Sequence, residues 1–495
     1  MLIKNSSLKA ALNNPEKYSK LDQWSRQYYS QIPGGLAASL ETRQDNPYIL
    51  WDTVQVTPQM CDAIRLAGHK IYTAIRAGLV PLMQSSELLY NEYGLPEEYL
   101  PLGLADDVPL GDMRIDLSIN AQAYYDSINK GSSILPEHIK AIEWNCETPS
   151  FMWESGSGQN LITDALGGKS PNLHGKDWTL QMGRDFTQYI EAICKARKID
   201  PRTTPLYFAY PGDESNGFVH EDNLSFFERM GQYESASGYP AKFRFFQDLI
   251  LDADEIVKGM FDAQDNKMVK LLFSHLPYEM LIAENGIIAL AQFPELIGES
   301  ISPARYWDYL VKAILDKTVT KVPGTQAAYA QSKAFYAFLY ESMLEGKWNE
   351  GSGEIADIIR THLLPTACTP EFLHQYGLWL DKQVFEKPVY GREGAGIYAY
   401  KVDSQDPEKF EMVLDTFKQD PEVDEWYEDQ NAIYQHEGEL PKVKYEDGEL
   451  TLMFTVYVSA LGQGCLIGCR AHANSELTAI NPESGIWVPL EIKEN

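Results

Sequence analysis

The sequence predicts an α/β fold of mixed, α+β-like balance. Three observations carry this. Helix-like and strand-like hydrophobic periods alternate from about residue 180 to about residue 275, a glycine-rich hairpin opens the last third, and strands dominate the C-terminal end.

Taken in order, residues 1–50 mix short helical patterns with loops such as Ile32-Pro33-Gly34-Gly35. The first firm helix starts at Thr57-Pro58, a capping residue followed by proline at the first helical position, and Ile64, Ala67, Ile71, Ile75 and Leu79 recur at helical spacing. A Pro-, Gly- and Asp-rich loop (95–112) leads into Arg114-Ile115-Asp116, which alternates polar and apolar. The stretch Ile142 to Glu154 follows. As a strand it projects Glu143, Asn145 and Glu147 to one face and Ile142, Trp144 and Cys146 to the other, until Pro149 ends the ladder. These two segments are expected to pair. Residues 180–197 read as an amphipathic helix, 206–210 as a buried strand, 242–260 as a helix and 268–273 as a strand. Helical patterns return at 303–315 and 329–344, with an exposed loop at 345–354. Strands at 384–388 and 397–402 flank Gly391-Arg392-Glu393-Gly394-Ala395-Gly396. The acidic stretch 403–428 shows helical spacing at Phe410, Val413 and Phe417, and a strand is expected at 450–459.

Composition narrows the function. A net charge of −29 over 495 residues argues against nucleic acid as the main partner, because phosphate neutralisation needs clustered Lys and Arg. It is compatible with a cationic substrate. With 44% hydrophobic residues and no uninterrupted apolar run of membrane-spanning length, the chain is expected to be globular, without a membrane partner and cytoplasmic. The six cysteines are scattered and read as core thiols, Cys465 and Cys469 on one face of a strand. None of the nine histidines forms a triad or metal motif, and His220-Glu221-Asp222 reads as a solvated loop.

The chemistry-bearing residues form a set. Glu143, Asn145 and Glu147 are hard oxygen donors suited to Mg²⁺, the bland alternative being an amphipathic edge strand with a wet polar face. Asp116 adds a further carboxylate and Arg114 a cation for developing charge, the alternative being an exposed cross-strand pair. Glycines at 391, 394 and 396 let backbone N–H groups approach an anion, although the loop lacks the helix and Lys-Ser/Thr of a phosphate-binding loop. Lys387 leads into that hairpin, which by itself reads as an ordinary turn, and Lys333 opens a helix, where in isolation it reads as a surface lysine. Together they describe a nucleotide site with two cations, a glycine flap and a metal cradle, and no obvious nucleophile or general base.

The chain resembles the glutathionylspermidine synthase family, in particular its stand-alone synthetase-like members with a circularly permuted ATP-grasp fold. The residues that carry the resemblance are Arg114-x-Asp116, Glu143-x-Asn145-x-Glu147-Thr-Pro-Ser150 with Glu154, Pro277-Tyr278-Glu279, Ser332-Lys333-Ala334, Lys387-Pro388 with the glycine run, Ile433-Tyr434-Gln435 and Gly468-x-Arg470. The resemblance implies that Asp116, Glu143 and Asn145 hold Mg²⁺, that Lys333, Lys387, Gly391 and Gly394 meet ATP phosphates, and that Gln435 lies near the adenine hinge. It also implies that Ser150, Glu154 and Arg470 face the substrate and that Arg114 is catalytic. The implied organisation is a helical lead (1–110), the metal-binding part of the core (111–200), a pre-ATP-grasp-like substrate domain (201–320), an ATP-binding lid (321–405) and a β-rich part of the core (406–495). The family pattern is broken where Ser274 replaces a lysine, where Ala471-His472 replaces an acidic pair, and where Gly485 replaces an acid. The expected activity is an ATP-dependent carboxylate–amine ligase acting through an acyl phosphate on a small-molecule or peptide carboxylate and an amine. The alternative is a catalytically inactive nucleotide-binding or scaffold protein.

Overall fold

The computed structural model describes residues 53–84, 103, 105–210, 221–245, 248–251, 259–274, 310–348, 353–378, 383–391, 396–402, 410–415, 431–445, 448–472 and 485–493. In chain order its strands are β1 (Val54–Val56), β2 (Met113–Ile119), β3 (Ile139–Asn145), β4 (Leu206–Tyr210), β5 (Ala241–Phe245), β6 (Leu249–Leu251) and β7 (Met260–Asp262). Next come β8 (Lys267–Val269), β9 (Leu271–Ser274), β10 (Thr320–Val322), β11 (Thr366–Ala367), β12 (Gln383–Pro388), β13 (Tyr398–Val402) and β14 (Phe410–Asp415). The last are β15 (Ala432–His436), β16 (Lys442–Tyr445), β17 (Gly448–Val458), β18 (Gly464–His472), β19 (Gly485–Trp487) and β20 (Leu490–Ile492).

The sheet that matters most runs β19-β18-β17-β2-β3, with β16 pairing β17. It joins segments over three hundred residues apart in sequence, because β2 pairs antiparallel with both β3 and β17. The expected pairing of the Arg114 and Glu143 segments is therefore present, with Asp116 opposite Glu143 and Arg114 opposite Asn145. Ile115, Leu117 and Ile119 are buried in the hydrophobic core together with the helix Pro58–Met83. That helix starts where the sequence predicts: the Thr57 side chain accepts a hydrogen bond from Met60 N at 3.2 Å, and Pro58 follows. Ile64, Ala67, Ile71, Ile75 and Leu79 are all buried. Gly68 permits the close approach, since a Cβ there would stand 2.9 Å from Val456 Cγ1.

A parallel sheet, β10-β9-β4-β5, packs against the helices Trp178–Arg197 and Glu221–Ser237 through Phe186, Ile190, Phe208, Phe226, Tyr233 and Leu271. The third large sheet, β11-β15-β12-β13-β14, is antiparallel and contains the expected hairpin, β12 pairing β13.

Several expectations are corrected. The helix expected over 242–260 is replaced in the described residues by β5, β6 and the start of β7. Phe243 and Phe245 alternate with Lys242 and Arg244, and parallel pairing with β4 overrides the helical spacing. Phe410 and Val413 lie on β14, not a helix, because β13 offers an antiparallel partner; Phe417 lies outside the described residues. The helix expected over 329–344 is two helices, Thr325–Gln331 and Lys333–Leu344, broken at Ser332. The strand over 268–273 is split between β8 and β9. β3 stops at Asn145, so Cys146 and Glu147 leave the ladder, and a register shift between Asp116 and Leu117 leaves Ile142 without a cross-strand partner. Glu221 and Asp222 open a helix; His220, Pro277-Tyr278-Glu279 and most of 303–315 lie outside the described residues. The described cysteines form no disulfide and are mostly buried, Cys465 and Cys469 among them.

Candidate active site

One face of the main sheet is polar across four strands. Side chains directly opposite each other, or two residues apart, share a face. The registers therefore place Glu143 and Asn145 (β3), Arg114 and Asp116 (β2), Thr455 and Tyr457 (β17) and Gly468 and Arg470 (β18) on the same side. The opposite side is the apolar one under the Pro58–Met83 helix.

Arg114 and Asp116 form a fork, with Nε donating to Oδ1 at 3.0 Å and Nη2 to Oδ2 at 2.9 Å. The pair is buried rather than an exposed surface pair, and Asp116 holds the guanidinium well above the usual arginine range against the cost of burial. The remaining nitrogen, Nη1, donates to Ser150 O at 3.1 Å and Ser150 Oγ at 2.9 Å. Tyr457, buried beneath it, donates its hydroxyl to Pro149 O at 2.8 Å and also contacts Ser150 O. Arg114 thus fixes the turn after β3 as well as the carboxylate beside it.

Two lysines reach this face from other elements. Lys333 is the first residue of its helix, its backbone N–H satisfied by Val389 O at 3.0 Å. Its ammonium lies 3.8 Å from Glu143 Oε2 and donates to Gly391 O. Lys387, on β12, is buried and donates to Gln435 Oε1 at 2.7 Å. Burial pulls its pKa down to about 8, against Glu143 and with Lys333 adding to the fall. Burial alone would raise the Glu143 carboxyl, but Lys333, Lys387, Arg114 and Arg470 outweigh it and hold it below the usual range. Glu143 nevertheless keeps 41% of its side chain accessible, so it stands within reach of a ligand. Gly391 is present in this cluster, whereas Gly394 lies outside the described residues.

The break between the two helices grips β3, which is an edge strand as the bland reading has it. Gln331 Oε1 accepts from Cys146 N at 3.2 Å and Glu147 N at 2.9 Å. Trp144 stacks on Tyr336 with ring centroids 4.6 Å apart, and the Tyr336 hydroxyl donates to Ala141 O at 2.7 Å. The edge is thereby covered, and the lysine helix is tied to the carboxylate strand.

The donor set fits a hard cation. Asp116 and Glu143 are cross-strand neighbours, and Asn145 is two residues along the same face. Asp116 spends one acceptor site per oxygen on Arg114, leaving further lone pairs. Asn145 is oriented by Thr148, whose N–H donates to Oδ1 at 3.1 Å and whose carbonyl accepts from Nδ2 at 2.9 Å. Among the described residues no group of three or more His, Cys, Asp or Glu could hold a metal; on this face Asp116 and Glu143 supply two carboxylates and Asn145 an amide oxygen.

On the substrate side of the expectation, Ser150 is held by Arg114 as described, and Glu154 is fully buried in the short helix Met152–Ser155. Arg470 lies over the Phe151 ring at 4.4 Å. Phe151 adopts φ 73°, in the left-handed region that a bulky residue rarely visits. Gly468 accommodates this turn, since a Cβ there would fall 2.2 Å from Ser155 Oγ. The departures from the family pattern at 471, 472 and 485 meet in one ladder, with His472 opposite Gly485 and Ala471 opposite Ile486. Burial, with Arg470 nearby, drives the His472 pKa down to about 4, so an uncharged ring occupies a place expected to be acidic. Ser274 ends β9 and is buried.

Behind the 146–152 turn lies a cavity of about 20 Å³, lined in part by Asp112, Glu147, Phe186, Ser225 and Arg229. It has room for about one water molecule. Asp112 and Arg229 form a buried ion pair there, Arg229 donates to Gln232 at 2.9 Å, and Gln232 to Glu228 at 2.9 Å. Ser225 Oγ accepts from Met152 N at 2.8 Å. The parallel-sheet unit thus braces the turn that carries Ser150. Sequence reading missed Gln331, Tyr457, Arg229 and Thr366, because each acts on a partner more than sixty residues away and belongs to no local motif.

No helix among the described residues is long and apolar enough to cross a membrane. No curated protein matches the chain. The family model described as glutathionylspermidine synthase preATP-grasp matches residues 123–479, well over half of the sequence and spanning β3, both lysines and Arg470. The chain belongs to the glutathionylspermidine synthase family.

Proposed function

We propose that the chain is an ATP-dependent carboxylate–amine ligase built on a circularly permuted ATP-grasp core, with residues 111–200 and 406–495 as its two parts, 321–405 as the lid and 201–320 as a substrate unit. The observation that supports this most is the convergence of Lys333 and Lys387, from separate elements, on Glu143 beside the Arg114–Asp116 fork. Two cations close to a recessed carboxylate are poor core material but suit a polyphosphate.

In this reading a substrate carboxylate oxygen takes the γ-phosphoryl group while the bond to ADP breaks. The amine nitrogen then attacks the acyl carbon, the amide bond forms, and phosphate departs with the bonding pair and the amine's proton. Lys333 and Lys387 orient the phosphates. Arg114 stays charged throughout and faces the carbon that becomes tetrahedral, where a fixed cation is worth most. Mg²⁺, bound by Asp116, Glu143 and Asn145, would offset charge on the transferring phosphoryl group. Ser150 and Arg470 line the carboxylate side, with Glu154 buried in the adjoining helix Met152–Ser155, and the missing acids at 471, 472 and 485 argue against a long polycation as the amine.

The test is a screen of amino acids, peptides and polyamines for acceptor-dependent ADP release, repeated with Glu143→Gln and Lys387→Met. Loss of turnover in both variants is expected; unchanged turnover in both overturns the site. Stabilisation by ATP and Mg²⁺ with no acceptor ever eliciting ADP would favour the inactive nucleotide-binding alternative that the changes at Ser274, Ala471 and Gly485 suggest.

A further inference from the structure

We propose that Thr366 and Gln435 form a positioning chain that fixes the Lys387 ammonium in the site, which makes Thr366 a positioning residue for whatever anion Lys387 meets. The three side chains come from adjacent strands. Thr366 (β11) is the direct cross-strand neighbour of Gln435 (β15), and Gln435 is opposite Phe385 (β12), two residues from Lys387 on the same face. Lys387 Nζ donates to Gln435 Oε1 at 2.7 Å, Gln435 Nε2 donates to Thr366 Oγ1 at 3.2 Å, and Thr366 Oγ1 donates to Leu364 O at 3.0 Å. All three side chains are buried, with Thr366 and Gln435 at 0% and 2% exposure.

The direction of this chain is forced. An ammonium has no acceptor, so the amide must turn its oxygen to Lys387. Its nitrogen then needs an acceptor, and Thr366 supplies one because its own proton is committed to Leu364 O. Without the Thr366 oxygen the buried amide N–H₂ has no reason to point that way. It can flip, presenting two donors to the ammonium and pushing it out of place. Each functional end of the Gln435 side chain thus makes one bond inside the protein, its oxygen to Lys387 and its nitrogen to Thr366. Among the described residues the other charged groups facing Lys387 are Glu143 and Lys333, and the Phe385 ring lies 5.9 Å from its nitrogen.

The nucleotide arm of the test rests on the ligase reading; the titration arm does not. Protein labelled with ¹³C at lysine Cε, with the Lys387 signal assigned by Lys387→Met, reports when that amine titrates. Thr366→Val is expected to lower its pKa and Gln435→Glu to raise it, while Thr366→Ser, which keeps donor and acceptor, leaves it at the wild-type value. In calorimetry with Mg²⁺ and ATP, Thr366→Val is expected to weaken binding about tenfold, the scale of one hydrogen bond to a charged group, and Thr366→Ser to bind within about twofold of wild type. An unmoved Lys387 signal in both Thr366→Val and Gln435→Glu overturns the chain, as does equal loss of binding in Thr366→Val and Thr366→Ser. If wild type binds no nucleotide yet Lys387 shifts as stated, the positioning chain stands and the ligase reading fails.

Discussion

Glu143→Gln is predicted to move ATP binding in opposite directions with and without Mg²⁺. The substitution keeps shape and removes one negative charge from a group held below the usual carboxylate range by Lys333, Lys387, Arg114 and Arg470. At the 3.8 Å separation from Lys333, Coulomb's law gives about 4 kcal/mol at an effective dielectric of about 20. Glu143 keeps 41% of its side chain accessible, so solvent screening reduces this to about 1 kcal/mol. Free ATP, an anion entering a more positive site, should therefore bind about fivefold tighter to the variant. With Mg²⁺ present the variant lacks a ligand and should bind several-fold more weakly than wild type. Calorimetry in EDTA and in excess Mg²⁺ reads both signs at constant ionic strength. Weaker binding in EDTA would refute the electrostatic reasoning, and an unchanged Mg²⁺ response would remove Glu143 from the metal set.

Three further predictions follow from buried groups. Nucleotide affinity should fall as pH rises through about 8, because Lys387 loses its proton there; Lys387→Arg, which stays charged, should abolish that fall in a pH series of binding constants. Arg229→Met strands Asp112 in the core and should cost about 3 kcal/mol in urea unfolding at neutral pH, whereas Arg229→Met with Asp112→Leu should recover most of it. His472 binds its proton less readily folded than unfolded, so its contribution is lost as pH falls from about 6.5 towards about 4; His472→Phe should flatten the unfolding midpoint across that window.

The legible parts of this molecule were those with local periodicity. Thr57-Pro58 and the Ile64-to-Leu79 stripe announce their helix because capping and amphipathicity are written within one turn of the chain. The alternation at Arg114-Ile115-Asp116 and Glu143-Trp144-Asn145 likewise survives as two paired strands. Where two periods fit equally, tertiary pairing decided: Phe243 and Phe245 follow β4, and the stretch at Phe410 follows β13. The candidate site was legible in its donors and cations but not in its supports. Tyr457 under the Ser150 turn, Gln331 on the 146–147 amides, Arg229 on Asp112 and Thr366 under Gln435 all join segments distant in sequence, and only the sheet registers bring them together. Sequence spacing also carried Glu147 too far, since the ladder ends at Asn145 and Glu147 turns into the interior instead.

The central claim is amide-bond formation through an acyl phosphate. Once the screen yields a carboxylate–amine pair, the decisive measurement is turnover with the carboxylate labelled by ¹⁸O and mass analysis of the released phosphate. The account predicts one ¹⁸O atom transferred from carboxylate to phosphate per amide formed. Phosphate carrying no label while amide accumulates would contradict it.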